Sequence, residues 1–168
     1  MSPGLVFVLL CALASVTAAE DTPRCPRGFL EHGSSCYWFS NIEGSFAEAS
    51  SYCQFFGSHL ARITSEDEDD YLRRRANEEK GSPGYWLGAT DLIKEGEFMW
   101  KGGSPINYPS WSPGQPNNRN KQNDDEHCLM LQKTSGYKWN DLDCILKIKF
   151  ICERKVSMCC CKKLKCTQ

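Results

Sequence analysis

Apolar side chains recur at helical spacing early in the chain and form short unbroken runs later. The apolar face of a first helix is predicted at four positions: Phe46, Ala49, Cys53 and Phe56. Ser45 and Glu48 form a capping box that opens this helix, and Gly57 is expected to end it. This pattern turns Cys53 inward, where it could bridge to a distant strand.

A second helix is predicted after Ser65, which forms another capping box with Glu68. Five acidic residues lie in the segment 66–70, and arginines follow at 73–75. Acids near the start of a helix and bases further on suit the helix dipole. The same acids could be taken for a metal site, but we favour a solvated, dipole-stabilised helix start.

Short aromatic and apolar runs predict strands at 36–39, 85–88, 98–100, 128–131 and 148–152. Cys25 and Cys36 flank a turn, which fits a hairpin closed by one disulfide. The segment 102–123 is dense in Gly, Pro and Asn, and so long an irregular run is usually functional or disordered. Two early helices, later strands and one long loop predict an α+β fold.

The first 19 residues are predicted to be a secretory signal peptide. Residues 5–14 are apolar but too few to span a bilayer, and small residues precede the first charge at Glu20. Cleavage is expected near Ala19, although the usual basic segment is missing. No other stretch is apolar enough to cross a membrane, so we expect a soluble, secreted protein.

Cysteine and charge usage narrow the class further. Of 11 cysteines, Cys11 lies in the signal peptide, which leaves an even number in an exported chain. Such a set favours disulfides over metal thiolates. The formal charge of −1 argues against a polyanion-binding role for the chain as a whole. Lysines and arginines nevertheless concentrate near the end, in a tail interpreted as solvated.

The strongest chemical signal lies in the second half of the chain. Five side chains there end in carboxylate or amide oxygens: Gln115, Asn117, Glu126, Asn140 and Asp141. Oxygens of this kind are what Ca²⁺ takes as ligands, about six to eight at a time. Cys128 and Cys144 could tie two oxygen-bearing loops together at a fixed separation. The alternative is that 111–125 is only a solvated loop, which its composition also permits.

These motifs, in this order, together with the strand 85–88, resemble one complete long-form C-type lectin domain over residues 25 to about 154. Within that family the segments 35–40, 45–49, 111–116 and 126–129 are similar to the perlucin-like lectins of molluscs. The resemblance implies three disulfides: Cys25–Cys36, Cys53–Cys152 and Cys128–Cys144. It also implies a cis bond before Pro116 and a Ca²⁺ ion that vicinal sugar hydroxyls coordinate directly. The predicted organisation is a signal peptide (1–19), a lectin domain (20–155) and a Cys/Lys-rich tail (156–168).

The tripeptide Gln115-Pro116-Asn117 departs from the family's commoner forms. Mannose-type members carry Glu-Pro-Asn and galactose-type members carry Gln-Pro-Asp, whereas this chain presents two amides. We therefore expect mannose-type or mixed recognition. The formal ligand charge falls to −2, from Glu126 and Asp141, which predicts Ca²⁺ affinity at the weak end of about 10⁻⁴–10⁻³ M.

A second Ca²⁺ site is implied by the resemblance at Asp91 and Glu95, with Asn118 and His127 at two further positions that can be acidic in the family. The alternative is that Asp91 and Glu95 only decorate a polar turn ending at Gly96.

The sequence also bears on three other classes of function. An enzyme is not expected, because the chain carries no Gly-x-Ser-x-Gly or His-Glu-x-x-His motif and no paired acids outside the candidate ion site. A shell-matrix protein that promotes calcium carbonate mineralisation is the main alternative, with acids at 66–70 and 124–126 docking the mineral. A lectin-like module that binds protein rather than sugar is a third.

The tail contains four cysteines: Cys159, Cys160, Cys161 and Cys166. Four thiols among lysines also suit a soft-metal clasp, but in an oxidising compartment we favour two further disulfides or bridges between subunits. A disulfide-linked homo-oligomer would strengthen binding by avidity.

Overall fold

A computed structural model describes residues 25–79, 81–119 and 125–156. The predicted signal peptide, Asp124 and the four tail cysteines lie outside these ranges. None of the helices within them is long and apolar enough to cross a bilayer.

Two α-helices, nine strands and one short 3₁₀ helix make up the described part of the chain. In chain order they are β1 (Leu30–His32), β2 (Ser35–Phe39), α1 (Phe46–Phe55), β3 (His59–Leu60), α2 (Glu66–Glu78), β4 (Gly84–Thr90), β5 (Met99–Trp100), β6 (Ser104–Pro105), β7 (Cys128–Gln132), the 3₁₀ helix (Lys133–Ser135), β8 (Lys138–Leu142) and β9 (Lys149–Lys155). The α+β prediction is confirmed.

Strand β9 joins the two halves of the sheet. It pairs antiparallel with β2 and β3 and parallel with β4. Strand β4 then pairs with β5 and β7, and β7 pairs with β8. The predicted N-terminal hairpin forms as β1 against β2, with Glu31 opposite Cys36.

The sheet is covered on both faces, as the two-residue period of a strand requires. Tyr85 and Leu87 of β4 pack in the cluster that contains Leu72 and Ala76 of α2. Trp86, between them, packs instead with Ala49 and Cys53 of α1. Alternate side chains therefore serve opposite layers, which is why this strand is apolar throughout.

The predicted start of α1 is confirmed in full. Ser45 accepts from the Glu48 N–H, and the Glu48 carboxylate accepts from the Ser45 N–H at 2.8 Å. The helix ends at Phe55, before Gly57 with its positive φ of 64°. Placing Phe56 on the buried face was wrong, because it caps the helix and is half exposed.

The second capping box forms only in part. Ser65 accepts from the Glu68 N–H, as predicted. Glu68, however, turns its carboxylate to the N–H of Thr64 at 2.7 Å and to the hydroxyl of Tyr37. Its reciprocal partner is therefore one residue earlier than expected, and the side chain also ties α2 to β2.

All three disulfides implied by the resemblance are present: Cys25–Cys36, Cys53–Cys152 and Cys128–Cys144. The second fastens α1 to β9 across 99 residues of sequence. The third fastens the start of β7 to the segment after β8, beside the candidate site.

Candidate functional site

The candidate Ca²⁺ ligands lie where strands β7 and β8 meet the long loop. Asn140 and Asp141 were expected in a loop, and this was wrong: both belong to β8, opposite Met130 and Leu129 of β7. Asn and Asp are poor strand formers, and the pairing with β7 holds them extended. Glu126 lies just before β7, at the end of the hairpin away from its connection, where β8 also ends.

The long loop is fastened to β8 by backbone hydrogen bonds around Trp139. The Trp139 N–H donates to the Ser110 carbonyl at 2.9 Å, and the Ser112 N–H donates to the Trp139 carbonyl at 2.8 Å. Gln115 follows in a turn, its N–H donating to the Ser112 carbonyl at 3.0 Å. The peptide bond between Gln115 and Pro116 is cis, as the resemblance implies.

Aromatic side chains form a rigid base beneath this loop. The Trp139 ring is fully buried and meets Trp100, Tyr108 and Trp111 edge to face, at centroid distances of 5.7–6.3 Å. Its Nε1–H donates to the Asp69 carboxylate at 3.0 Å. Neighbours Asn140 and Asp141 are thereby held in one position.

Asp141 organises the loop that carries the candidate ligands. Its Oδ2 accepts from the backbone N–H of Asn117 at 2.9 Å and of Asn118 at 2.6 Å. Asn118, with a φ of 51°, then accepts the Glu126 N–H on its own side-chain oxygen at 2.9 Å. Asp141 therefore positions 117–118 directly and the Glu126 segment through Asn118.

Three oxygens of the predicted ligand set are buried and have no hydrogen-bond partner among the described residues. They are Oε1 of Gln115, Oδ1 of Asn140 and Oδ1 of Asp141. A buried acceptor left without a partner costs about 1–3 kcal/mol, so three from one set need a common explanation. A hard cation is the partner that carboxylate and amide oxygens suit, and the residues present therefore fit Ca²⁺.

The electrostatics of the site agree with that fit. Glu126 is only 5% exposed, and its burial, with the charges of Asp141 and Asp143 nearby, raises its pKa to about 7. Burial also raises the pKa of Asp141, against the opposing effect of the backbone N–H groups that it accepts from. The fold thus holds two carboxylates close together, where a positive charge would be favourable.

Asn117 stands slightly apart from the other four. Its Oδ1 accepts from the Arg119 N–H at 2.9 Å, in an Asx turn. The oxygen retains a second lone pair for a ligand role. Its backbone places it beside Asp141.

The residues of the second predicted site also lie close together, except that His127 rather than Asn118 offers the third ligand atom. Asp91, Glu95 and His127 offer three ligand atoms that all lie within 4.8 Å of one another. Asn118 lines the adjoining cavity of about 170 Å³, but its oxygen is bonded to the Glu126 N–H. Asp91 in addition accepts from the Gly96 N–H at 2.9 Å, so the alternative of a turn-stabilising role is also realised.

Asp69 and Asp143 both contribute to the site, and neither contribution was predicted from the sequence. Asp69 was expected at a solvated helix start, and this was wrong: it is 1% exposed and accepts from Ser110 at 2.8 Å as well as from Trp139. Asp143 contributes to the raised pKa of Glu126. Neither role has a local signal, because both depend on strands distant in sequence.

Comparisons with known proteins agree with this architecture. Residues 42–154 match the family model described as the Lectin C-type domain. Perlucin from Haliotis laevigata is 48% identical over 132 residues, covering 78% of this chain and 83% of that protein.

Solved structures give the same result. The carbohydrate-recognition domain of the mouse scavenger receptor C-type lectin superposes with a TM-score of 0.73 at 32% identity, covering 80% of this chain and 100% of that one. The cow CD23 domain, solved in the presence of GlcNAc2Man3 oligosaccharide, gives 0.71 at 32% identity, covering 80% and 98%. This family consists of carbohydrate-binding modules rather than enzymes, in line with the absence of a catalytic motif. On the match of residues 42–154 to the family model and the 48% identity to perlucin, the chain belongs to the C-type lectin domain family.

Proposed function

We propose that this protein is a secreted lectin that binds carbohydrate in a Ca²⁺-dependent manner. The observation that carries the proposal is the set of three buried, unpartnered oxygens on Gln115, Asn140 and Asp141, all on residues singled out from the sequence. A lectin-like module that binds protein by surface contact alone has no need to bury such atoms without partners.

The candidate ligands of this site have different chemical roles. Glu126 and Asp141 supply the negative charge, and the amides of Gln115, Asn117 and Asn140 supply neutral oxygens together with N–H groups that can donate to hydroxyls. When bound, Ca²⁺ supplies coordination positions that protein oxygens leave open and that hydroxyl oxygens can fill. Asp141 Oδ2 keeps the loop at 117–118 in place through the N–H groups it accepts from.

Mannose-type or mixed recognition is the sugar class that we propose. Both Gln115 and Asn117 can offer an oxygen to the ion and an N–H to a hydroxyl, so the loop lacks the donor and acceptor asymmetry that separates the two sugar classes. The residues after the tripeptide are Asn118, Arg119 and Asn120, with no aromatic ring for the apolar face of galactose. The bovine neighbour solved with a mannose-containing oligosaccharide supports the choice.

Secretion is proposed on two grounds. The apolar segment 5–14 has the length of a signal peptide core and is followed by small residues, and three disulfides suit an oxidising compartment. Recognition of microbial glycans in innate defence is the setting that we propose for such a protein.

A covalent oligomer through Cys159, Cys160, Cys161 and Cys166 is also proposed, because single-sugar sites are weak and linked copies gain avidity of about 10²–10⁴-fold. Migration at monomer mass on a non-reducing gel would rule this out.

The experiment that tests the proposal is retention on polysaccharide resin. The protein should bind mannan resin in Ca²⁺ and leave it on addition of EDTA or of millimolar mannose. Retention that EDTA does not change would contradict the proposal.

The same experiment addresses the shell-matrix alternative. Adsorption to calcium carbonate crystals with no release from resin by either mannose or galactose would favour that alternative. Two of the acids assigned to the mineral surface, Glu68 and Asp69, are engaged in hydrogen bonds within the fold, which reduces the acidic face of α2. For this reason the lectin is the function that we propose.

A further inference from the structure

We propose that Asp91, Glu95 and His127 form a cation site that takes Zn²⁺ in preference to Ca²⁺. The site uses other ligands than the candidate sugar site, and its test reads the bound metal directly. Its failure would therefore leave the proposed lectin function standing.

The distances within this group match a small tetrahedral ion. Nδ1 of His127 lies 3.0 Å from Oδ1 of Asp91 and 3.4 Å from Oε2 of Glu95. Tetrahedral Zn²⁺ with bonds of about 2.0–2.1 Å places neighbouring ligand atoms about 3.3 Å apart. The two distances from Nδ1 are therefore close to those that the ion would require, and all three ligand atoms lie within 4.8 Å of one another.

The donor set argues against Ca²⁺ at this position. Ca²⁺ takes oxygen ligands, six to eight in number, and an imidazole nitrogen is not among them. One imidazole and two carboxylates are ligands that Zn²⁺ accepts, and three protein ligands leave a fourth position for water. His127 thus changes which ion the site suits.

A second feature, which involves none of the three ligands but is shared with the candidate Ca²⁺ site, also points to a cation here. The cavity of about 170 Å³ beside Asp91 and Glu95 is lined on its other wall by Asp141. Asp141 is 0% exposed, and its Oδ1 has no hydrogen-bond partner among the described residues. The cavity therefore adds a further buried negative charge to the one at Asp91, which is itself almost fully buried.

The surroundings allow the ion to enter and be held. Glu95 is 56% exposed and can move to complete the site, whereas Asp91 is fixed by the Gly96 N–H on its other oxygen. Without metal, a proton on Nδ1 of His127 can satisfy Asp91 as a hydrogen bond. Zn²⁺ would take the place of that proton between the same two atoms.

The test is a Zn²⁺ titration of the full chain by calorimetry, in millimolar Ca²⁺ to fill the hard-oxygen site. Free thiols are alkylated without reductant, so that tail cysteines do not contribute. We expect one Zn²⁺ per chain. The H127N variant should bind Zn²⁺ more weakly than the wild type. The loss should exceed the roughly 10–100-fold that removal of an outer-shell partner costs.

Three further variants make the result decisive. E95Q removes the charge of an exposed ligand and leaves the buried residues unchanged. It should also weaken Zn²⁺ binding. H127D offers an oxygen instead of a nitrogen and should exchange Zn²⁺ binding for a second Ca²⁺. H59N is the matched control, because the His59 ring is bonded to the Leu60 carbonyl and is not one of the three ligands, and it should bind Zn²⁺ as the wild type does. Equal Zn²⁺ binding by wild type, H127N and E95Q, or none by the wild type, would overturn the proposal.

Discussion

At the scale of single residues, the behaviour of the candidate site depends on two buried carboxylates. Burial and the charges of Asp141 and Asp143 raise the pKa of Glu126 from 4.5 to about 7. In the unfolded chain this carboxyl titrates near its ordinary value. Both ion binding and stability should therefore change with pH across the interval between these values.

Calcium affinity is predicted to rise with pH and to level off above about 7. Ca²⁺ requires the ionised form of Glu126, so below its pKa each pH unit should weaken binding by up to about tenfold. Calorimetric titrations at pH 5.5, 6.5 and 7.5 measure this. The E126Q variant should bind more weakly and with a shallower pH dependence. A wild-type affinity that is constant across this range would contradict the assignment of Glu126.

The stability of the chelated protein is predicted to change in the opposite direction. Because the folded-state pKa of Glu126 is raised, its contribution is fully present below about pH 4.5 and is lost as pH rises through about 7. Thermal melting of the wild type in EDTA across this pH range should show this loss, and comparison with E126Q should assign it to Glu126. Addition of Ca²⁺ should reverse the loss. The same pH dependence of the melting temperature in the wild type and in E126Q would exclude Glu126 as the source of the loss.

At the scale of elements, the regular structure that the sequence predicts well is the part with local causes. The start of α1 is correct because Ser45 and Glu48 satisfy each other's backbone within one turn. Strand β8 was missed because Asn140 and Asp141 have low strand propensity and the segment does not alternate, so that its extended form depends on pairing with β7. The candidate ligands were found all the same, since their chemistry is visible without their conformation.

The link between α2 and the long loop is a second feature that only tertiary structure reveals. The Asp69 carboxylate accepts from both Ser110 and Trp139, while Arg73 lies 3.6 Å from it. In sequence, Asp69 is one of five consecutive acids and has no mark that separates it from its neighbours. Its role follows from which face of α2 packs against the sheet.

Loss of this link is predicted to destabilise the fold. D69A leaves the buried Nε1–H of Trp139 and the Ser110 hydroxyl without their acceptor, which should cost about 3 kcal/mol of unfolding free energy. Urea denaturation measures it. The control is D70A, at a side chain that is 64% exposed, where a change within about 0.5 kcal/mol is expected. Equal stability of the two variants would refute the role of Asp69.

At the scale of the whole molecule, one sheet with a helix on either face carries a loop cluster at one end. The Cys128–Cys144 disulfide and the Trp139 aromatic group fix that cluster to the sheet. The rigidity of this base explains how several oxygens can remain buried without partners. The family, the fold class and all three disulfide pairs were accessible from sequence, whereas the burial of the ligand atoms and the raised pKa of Glu126 required the assembled structure.

Calcium titration of the wild type against D141N tests the central claim most directly. D141N keeps an oxygen for the N–H groups of Asn117 and Asn118 but removes one of the two charges at the site. The wild type should bind Ca²⁺ at about 10⁻⁴–10⁻³ M, D141N should bind at least tenfold more weakly, and D70N should match the wild type. A D141N variant that binds Ca²⁺ as tightly as the wild type would contradict the account.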